Sequence, residues 1–330
     1  VKKFVIAVVI LLGILFIISR FTEVQQIALI LKEGNFWYLG LAVLIEAVWV
    51  INLGASFQSL FGLLGIRQGI LDFSRLAIAA NFVNQVAPSA GVSGIAVFIS
   101  QSPRNGRSSA VIAVGTVLFL LFEYLGLLSF IFIGLLVLGF YNSLRFTEII
   151  AFILFLALAA ALTTLLILAA RSQEKLASVL TWLAIKTNRL LRPILHREVF
   201  EVNKASVLAC EAAEGISALK HVRLGWLKPL LLTFSSKGLL IAILGLMFLA
   251  FNTDFTITKL IAGFSIGYLF VIISPTPSGM GFVEGAMAIT LHSLDIPLES
   301  AAIITMAFRG VTFWLPFVLG MITFRTLPKM

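Results

Sequence analysis

Apolar residues run along this chain in long blocks divided by short polar stretches. The unbroken blocks are 4–20, 36–66, 109–140, 148–170, 226–252 and 300–325. About 20 apolar residues in a helix span the hydrocarbon core of a bilayer. Each block therefore predicts a transmembrane helix, and the longer ones are expected to tilt. Two further apolar segments, 70–101 and 259–294, are interrupted in their middles. The first breaks at "NQVAPSAGVSG" (Asn84 to Gly94), the second at "ISPTPSGMGFVEG" (Ile273 to Gly285). No stretch alternates apolar and polar residues with period two, which argues against a β-barrel. The expected fold is an all-α polytopic membrane protein.

Composition agrees. The chain is 60% hydrophobic and 12% charged, with mean hydropathy +1.08. A soluble domain carries about twice that share of charged residues. The 29 phenylalanines suit helices that face lipid. The net charge of +9 would suggest nucleic acid in a soluble protein. Here it is better read as Lys and Arg in cytoplasmic loops, where they set topology, and no nucleic-acid partner is expected. The only sizeable polar segment, 171–225, is basic. It predicts one or two helices lying on the cytoplasmic surface, or an ordinary connector. The N-terminal "VKKFVIAVVILLGILFIIS" has the basic start and apolar run of a signal peptide but no small-residue cleavage site. It is expected to be a retained first helix, with a signal anchor as the alternative, and the start at Val1 suggests a trimmed end. Cys210 is the sole cysteine, so no internal disulfide is expected. His196, His221 and His292 are scattered without metal-ligand spacing. No metal or cofactor is expected.

Charge placement decides how the broken segments run. With Lys2 and Lys3 inside, treating 70–101 as a re-entrant hairpin keeps Arg67, Arg104 and Arg107 inside. A second hairpin at 259–294 leaves Asp254, Asp295 and Glu299 outside, and Arg325 and Lys329 finish inside. Full crossings would strand Arg104 and Arg107 outside, against the positive-inside rule; Arg145 is outside either way. The expectation is six full spans plus two hairpins. They form one domain, 1–330, with both termini cytoplasmic in the cell membrane. This topology exposes a repeat. Unit one is 36–140 and unit two is 226–325. Each consists of a span, a broken segment and a span, with Pro88 and Pro277 at matching depths. The units begin on opposite sides, inverted by the linking span 148–170. Breaks at matching places in two inverted halves point to a transporter's binding site.

Broken backbone within a bilayer is tolerated only against protein or in a wet cavity. Pro275 and Pro277 stop one half-helix, Gly279 and Gly281 allow close approach, and a second half-helix starts near Phe282. Its free amides and positive dipole end suit an anion. Ser278 is the expected cap there, and Ser89 and Ser93 the caps at the first break. The plainer reading is a structural kink. Ionisable residues deep in spans are functional candidates. Glu46 in unit one faces Lys237 at nearly the same place in unit two, and Glu123 likewise corresponds to Arg309. Glu284 follows the second break, where it is expected to pair with Arg309 or Lys237, or simply to stabilise a helix start. The plainer reading of all five is a set of structural ion pairs. Asp72 and Arg75 are expected at the membrane interface.

The two broken motifs resemble a known family. "SPTPSGMGFVEGAMAITL", followed by "AAIITMAFRGVTFWLPFVLG", is similar to the C-terminal signature of the lysylphosphatidylglycerol synthase/flippase membrane domain. "NQVAPSAGVSG" resembles that family's earlier Asn…Pro…Gly break, and the resemblance runs over essentially the whole chain. It implies a multi-helix lipid translocase domain. Carried over, Pro277, Gly279, Gly281, Glu284 and Arg309 match the second motif, and Pro88, Gly91 and Gly94 the first. Ser278 stands where Gly is common. Ile95 stands where many members place an acid, which argues against a cationic headgroup at the first break. Some members carry a soluble aminoacyl transferase. With Met330 close behind the last span, this chain is expected to be a stand-alone member without it. Such relatives are linked to moving phospholipids or polyprenyl-linked sugars.

The leading expectation is a flippase- or scramblase-like lipid translocase rather than an enzyme. Its groove would be lined by Glu284, Arg309, Lys237, Glu46, Glu123, Ser278, Gly279, Gly281 and Pro277, with Asn84, Pro88, Ser89, Gly91 and Gly94 at the first break. Phosphate would sit at the half-helix N-termini. Its partners would be membrane lipids, with a separate lipid-modifying enzyme or a second copy of the chain as further candidates. The alternatives are a secondary transporter of a small ion or solute and a membrane subunit without transport activity; an intramembrane enzyme comes last. No HExxH or Walker loop is present.

Overall fold

A computed structural model describes residues 21–86, 92–101, 109–172, 174–179, isolated positions from 181 to 189, 225–274 and 276–327. The expected first span 4–20, most of the surface segment 171–225, and Pro88, Ser89 and Gly91 lie outside the described residues. All eleven named helices follow one another without a strand among the described residues. They are α1 (Phe21–Glu33), α2 (Phe36–Leu63), α3 (Ile70–Val86), α4 (Val92–Gln101), α5 (Ser109–Phe140), α6 (Phe146–Arg171), α7 (Leu227–Ala250), α8 (Ile257–Ile273), α9 (Phe282–His292), α10 (Leu298–Arg309) and α11 (Leu315–Thr326). A wide π-helical turn, Gly310–Trp314, joins the last two into one rod. Helix α1 has no counterpart among the expected spans: its run "FTEVQQIALILKE" mixes charge with apolar residues and is too short to cross.

Among the described residues, five rods are long and apolar enough to cross a membrane: Phe36–Leu63, Val111–Phe140, Phe146–Leu168, Leu227–Ala250 and Leu298–Thr326. This is an all-α polytopic membrane protein. The broken segments are two half-length helices each, α3–α4 and α8–α9. With 17 and 10 residues in one and 17 and 11 in the other, no half reaches the ~30 Å hydrocarbon thickness at 1.5 Å per residue.

Local chemistry sets the reversals between rods. The α5–α6, α7–α8 and α9–α10 turns pass through Asn142, Asn252 and Asp295, all at positive φ. Asn and Asp tolerate the left-handed region because their short side chains bond locally. The α2–α3 turn uses Gly65 at φ +77° for the same purpose. Asn35 Oδ1 accepts from the Trp37 amide, 3.0 Å, and starts α2. Phe36, Trp37, Phe140 and Phe146 are largely exposed at these rod ends, where aromatic rings belong at a membrane–water boundary.

Helices α2 and α7 pack along their length and run antiparallel. The Asn35 amide donates to the Ala250 carbonyl at one end, and Trp49 Nε1 donates to Ser236 Oγ, 2.8 Å, further along. Packing is reciprocal around this pair. Helix α3 lies against α11, and α8 against α5. Small residues permit these approaches, as is usual where lipid offers no hydrophobic drive for association. A Cβ on Gly54 would lie 2.0 Å from Ser74 Oγ and 2.7 Å from the Ile70 carbonyl of α3. One on Gly320 would lie 2.6 Å from the Ile78 carbonyl. A large apolar core joins α5–α10 with Phe155, Phe248, Phe264 and Phe308. A smaller one joins α2–α4, where Phe57 stacks between Phe98 and Phe119.

Candidate functional site

Parts of both breaks and three of the deep charges, Glu123, Lys237 and Arg309, line one cavity of about 490 Å³. Unit one contributes Asn81, Asn84, Gln85, Gly94, Thr116 and Glu123 to its wall. Unit two contributes Lys237, Tyr268, Ser274, Thr276, Ser278 and Arg309. Trp49, Phe57, Phe98 and Phe119 form much of the apolar remainder.

Two ion pairs organise the charge. Arg309 Nε donates to Glu284 Oε1, 2.7 Å. The same carboxylate accepts the Gly281 amide on Oε2, 2.7 Å, and so caps α9 from inside its first turn. Arg309 Nη2 donates to the Ser278 carbonyl, 3.2 Å, and the guanidinium lies 4.3 Å over the Phe313 ring. The second pair is Lys237 Nζ with Glu123 Oε2. Its other oxygen, Glu123 Oε1, is buried and has no hydrogen-bond partner among the described residues. Of the two pairings expected for Glu284, Arg309 is the one formed; Lys237 is committed to Glu123.

The start of α9 differs from expectation. Ser278 does not cap α9. It lies at φ +53° inside the tight turn Pro277–Gly279, and the start of α9 is Gly281, at φ +79°. Gly279, at φ +72°, is wedged with an ideal Cβ position only 3.0 Å from the Val271 Cα. The amide expected to hold a phosphate is taken by the chain's own Glu284. At the first break the Gly94 amide donates to Asn84 Oδ1, 2.5 Å. A bound carboxylate beside α9 repels a second anion. Phosphate at the half-helix N-terminus of the second break is therefore withdrawn.

Glu46 does not line the cavity. It lies on α2 one turn before Trp49, is 1% exposed, and neither carboxylate oxygen has a hydrogen-bond partner among the described residues. Glu284, Gly279 and Gly281 stand behind the wall rather than in it. Asp72 and Arg75 are exposed. Tyr268 lies within electrostatic reach of Glu46, Glu123 and Arg309. The residues that sequence reading missed are chiefly Asn81, Gln85, Thr116 and Tyr268. Asn81, Asn84 and Gln85 fall at i, i+3 and i+4 in "NFVNQ", which places three amides on one face of α3. That spacing was visible, but polar side chains without charge do not stand out in a hydropathy profile.

With this geometry in place, the relatives can be weighed. The family model described as the lysylphosphatidylglycerol synthase TM region matches residues 4–320. The chain belongs to that family. A UPF0104 membrane protein of Methanocaldococcus jannaschii is 22% identical over 321 residues, covering 96% of this chain and 93% of the relative. No solved structure matches. Family membership covers both breaks, the cavity and both ion pairs, and it ties the chain to a membrane domain with a lipid-related role.

Proposed function

We propose that this member of the family is a lipid translocase, flippase- or scramblase-like, that passes a polar headgroup between leaflets while the acyl chains stay in lipid. One observation carries the reading: a cavity inside an apolar bundle whose wall includes parts of both broken segments, the Glu123–Lys237 pair and Arg309. Polar groups inside a membrane body are costly unless they serve a path or a ligand. At about 490 Å³ the cavity is in the ~300–1,000 Å³ range of small-ligand sites. That suits a headgroup and leaves the acyl chains outside. The chain has no nucleotide-binding motif, so net direction comes from a gradient or a partner, such as a lipid-modifying enzyme or a second copy.

The same proposal includes the architecture. Units 36–140 and 226–325 form an inverted repeat, with the broken segments as re-entrant hairpins and both termini on the cytoplasmic side of the cell membrane. The antiparallel α2–α7 pair and the reciprocal contacts α3–α11 and α8–α5 support this. Glu46 and Lys237 each sit at the eleventh position of their helices. Single cysteines at Ser102 and Ser108, in a chain with Cys210→Ser, test the first hairpin. Labelling from the cytoplasmic side is expected; labelling only from the far side rejects it.

Transport is tested in liposomes holding fluorescent lipids, by the share of label a membrane-impermeant quencher reaches. Accelerated exchange is expected, and a large loss in Glu123→Gln and Lys237→Met variants that elute as folded protein. Unaltered exchange in both folded variants would remove the cavity from the path. A cavity of this size also admits a small polar solute. Saturable uptake of such a solute, with no lipid exchange, is the outcome that replaces the lipid reading.

A further inference from the structure

The cavity wall has a bias that the translocase reading does not require. Its formal charges cancel. Lys237 is spent on Glu123, and Arg309 on Glu284 just behind the wall. What remains is a set of neutral hydrogen-bonding groups. Two of them are acceptors without donors: Gln85 Oε1 and Glu123 Oε1 are buried and have no hydrogen-bond partner among the described residues. Gln85 is 8% exposed and lines the cavity from α3; Glu123 lines it from α5. They come from different elements of unit one, so one accident of local packing does not account for both. A buried acceptor left unpaired is destabilising, and a bound donor removes that cost. The terminal amide torsion of Gln85 is broad, so its oxygen can turn toward a donor in the cavity.

The donor must come from the ligand, and its chemistry is constrained. A quaternary ammonium has no N–H or O–H to give. A primary ammonium has donors but brings a full positive charge into a largely apolar wall whose formal charges already cancel, and it gives up its hydration there. A hydroxyl supplies the donor without the charge. Further hydroxyls can donate to the remaining lone pairs of Thr116 and Thr276, whose own hydroxyls donate to the Ile112 and Met280 carbonyls. Trp49 and Tyr268 bring aromatic rings to the wall, against which the C–H face of a ring can rest; Trp49 Nε1 is already donated to Ser236 Oγ.

We infer that the cavity selects a hydroxyl-rich, uncharged headgroup moiety of the glycerol, inositol or hexose type, held by hydroxyl donation to Gln85 and Glu123, over choline, ethanolamine or aminoacylated headgroups. The inference rests on the cavity being the headgroup site proposed above. It fixes the class of headgroup and gives Gln85 a specificity role.

The test has two readouts, so that failure of this inference and failure of the translocase reading separate. Purified protein is reconstituted with acyl-labelled phosphatidylglycerol, phosphatidylinositol, glucosyl diacylglycerol, phosphatidylcholine, phosphatidylethanolamine and lysyl-phosphatidylglycerol, and exchange is followed as above. In parallel, dioctanoyl forms of the same lipids, and free myo-inositol and methyl glucoside, are titrated in detergent. Binding is read from tryptophan fluorescence, with Trp49→Phe as the signal control. The expected result is binding and exchange of the three hydroxyl-bearing lipids at least ten-fold above choline and ethanolamine. In Gln85→Leu that preference falls about ten-fold, while the melting temperature is unchanged or higher, because the unpaired buried oxygen is gone. A melting temperature that drops along with binding assigns Gln85 to structure and overturns its specificity role. Binding of hydroxyl headgroups that depends on Gln85, without exchange of any lipid, keeps the site chemistry and rejects translocation. Equal saturation by free myo-inositol or methyl glucoside identifies a solute as the source of the same hydroxyl chemistry. Exchange without headgroup preference, or favouring choline or lysyl lipid, overturns the inference and leaves translocation standing. No binding and no exchange by folded protein overturns both.

Discussion

The two buried ion pairs look alike in sequence and differ in use. Glu284 and Arg309 satisfy one another and the backbone around them. Both carboxylate oxygens are occupied, one by the guanidinium and one by the Gly281 amide, and the guanidinium also holds the Ser278 carbonyl and covers Phe313. This pair is a clamp on the second break. Glu123 and Lys237 join only through one oxygen, leave the other without a partner among the described residues, and both residues line the cavity. This pair is incomplete in a way that a ligand can complete. Buried charges thus divide by saturation: a saturated pair holds backbone in place, and an unsaturated one facing a cavity is available for recognition.

Breaking the clamp is expected to have the largest effect. Arg309→Met leaves the Glu284 carboxylate buried without its cation, which costs about 3–5 kcal/mol. Thermal unfolding in detergent should show a large drop in melting temperature, and much of it should return when Glu284→Gln is added. If the single variant melts like the parent, the clamp assignment is wrong. Lys237→Met should cost less stability, about 1–3 kcal/mol, because its contact with Glu123 ties no backbone turn in place as the Glu284–Arg309 pair does. Its loss of exchange should nevertheless exceed its loss of stability. The reverse ranking of the two pairs, by melting and by transport together, would erase the distinction drawn between them.

Backbone at the second break is the next test. Gly281 has open space around its missing Cβ but sits at φ +79°. Gly281→Ala should therefore cost backbone strain alone, about 1–3 kcal/mol, since ψ −40° lies outside the left-handed helical well. Gly54→Ala tests packing instead, since its Cβ would meet the α3 backbone carbonyl of Ile70 at 2.7 Å. About 1–3 kcal/mol is expected, as for other overpacked sites. Glu46 should give the smallest change and the opposite sign. Glu46→Met removes a buried carboxyl whose oxygens have no hydrogen-bond partner among the described residues, and the melting temperature should rise slightly. A marked fall would show that Glu46 has a partner in a state of the protein other than this one.

Hydropathy alone determined most of the architecture. The blocks 109–140 and 148–170 reappear as Ser109–Phe140 and Phe146–Arg171, and both broken segments are broken helices. Apolar length and the refusal of Pro and Gly clusters to continue a helix are local properties, so they are legible residue by residue. The five deep charges were legible too, because each is costly in lipid wherever it ends up. Their partners were not. Glu123 and Lys237 are 114 positions apart, and Glu284 and Arg309 are 25 apart; only helix packing decides which carboxylate meets which cation. Packing also put Glu46 one turn outside the cavity and let Glu284 fill the helix start that looked open to phosphate. It gathered Asn81, Gln85, Thr116 and Tyr268 into one wall. Composition could say that this chain must hide polar groups within a membrane. Which of them are satisfied by the protein, and which are left for something else, is a property of the tertiary structure, because hydrogen bonds and ion pairs depend on distances that no single segment sets.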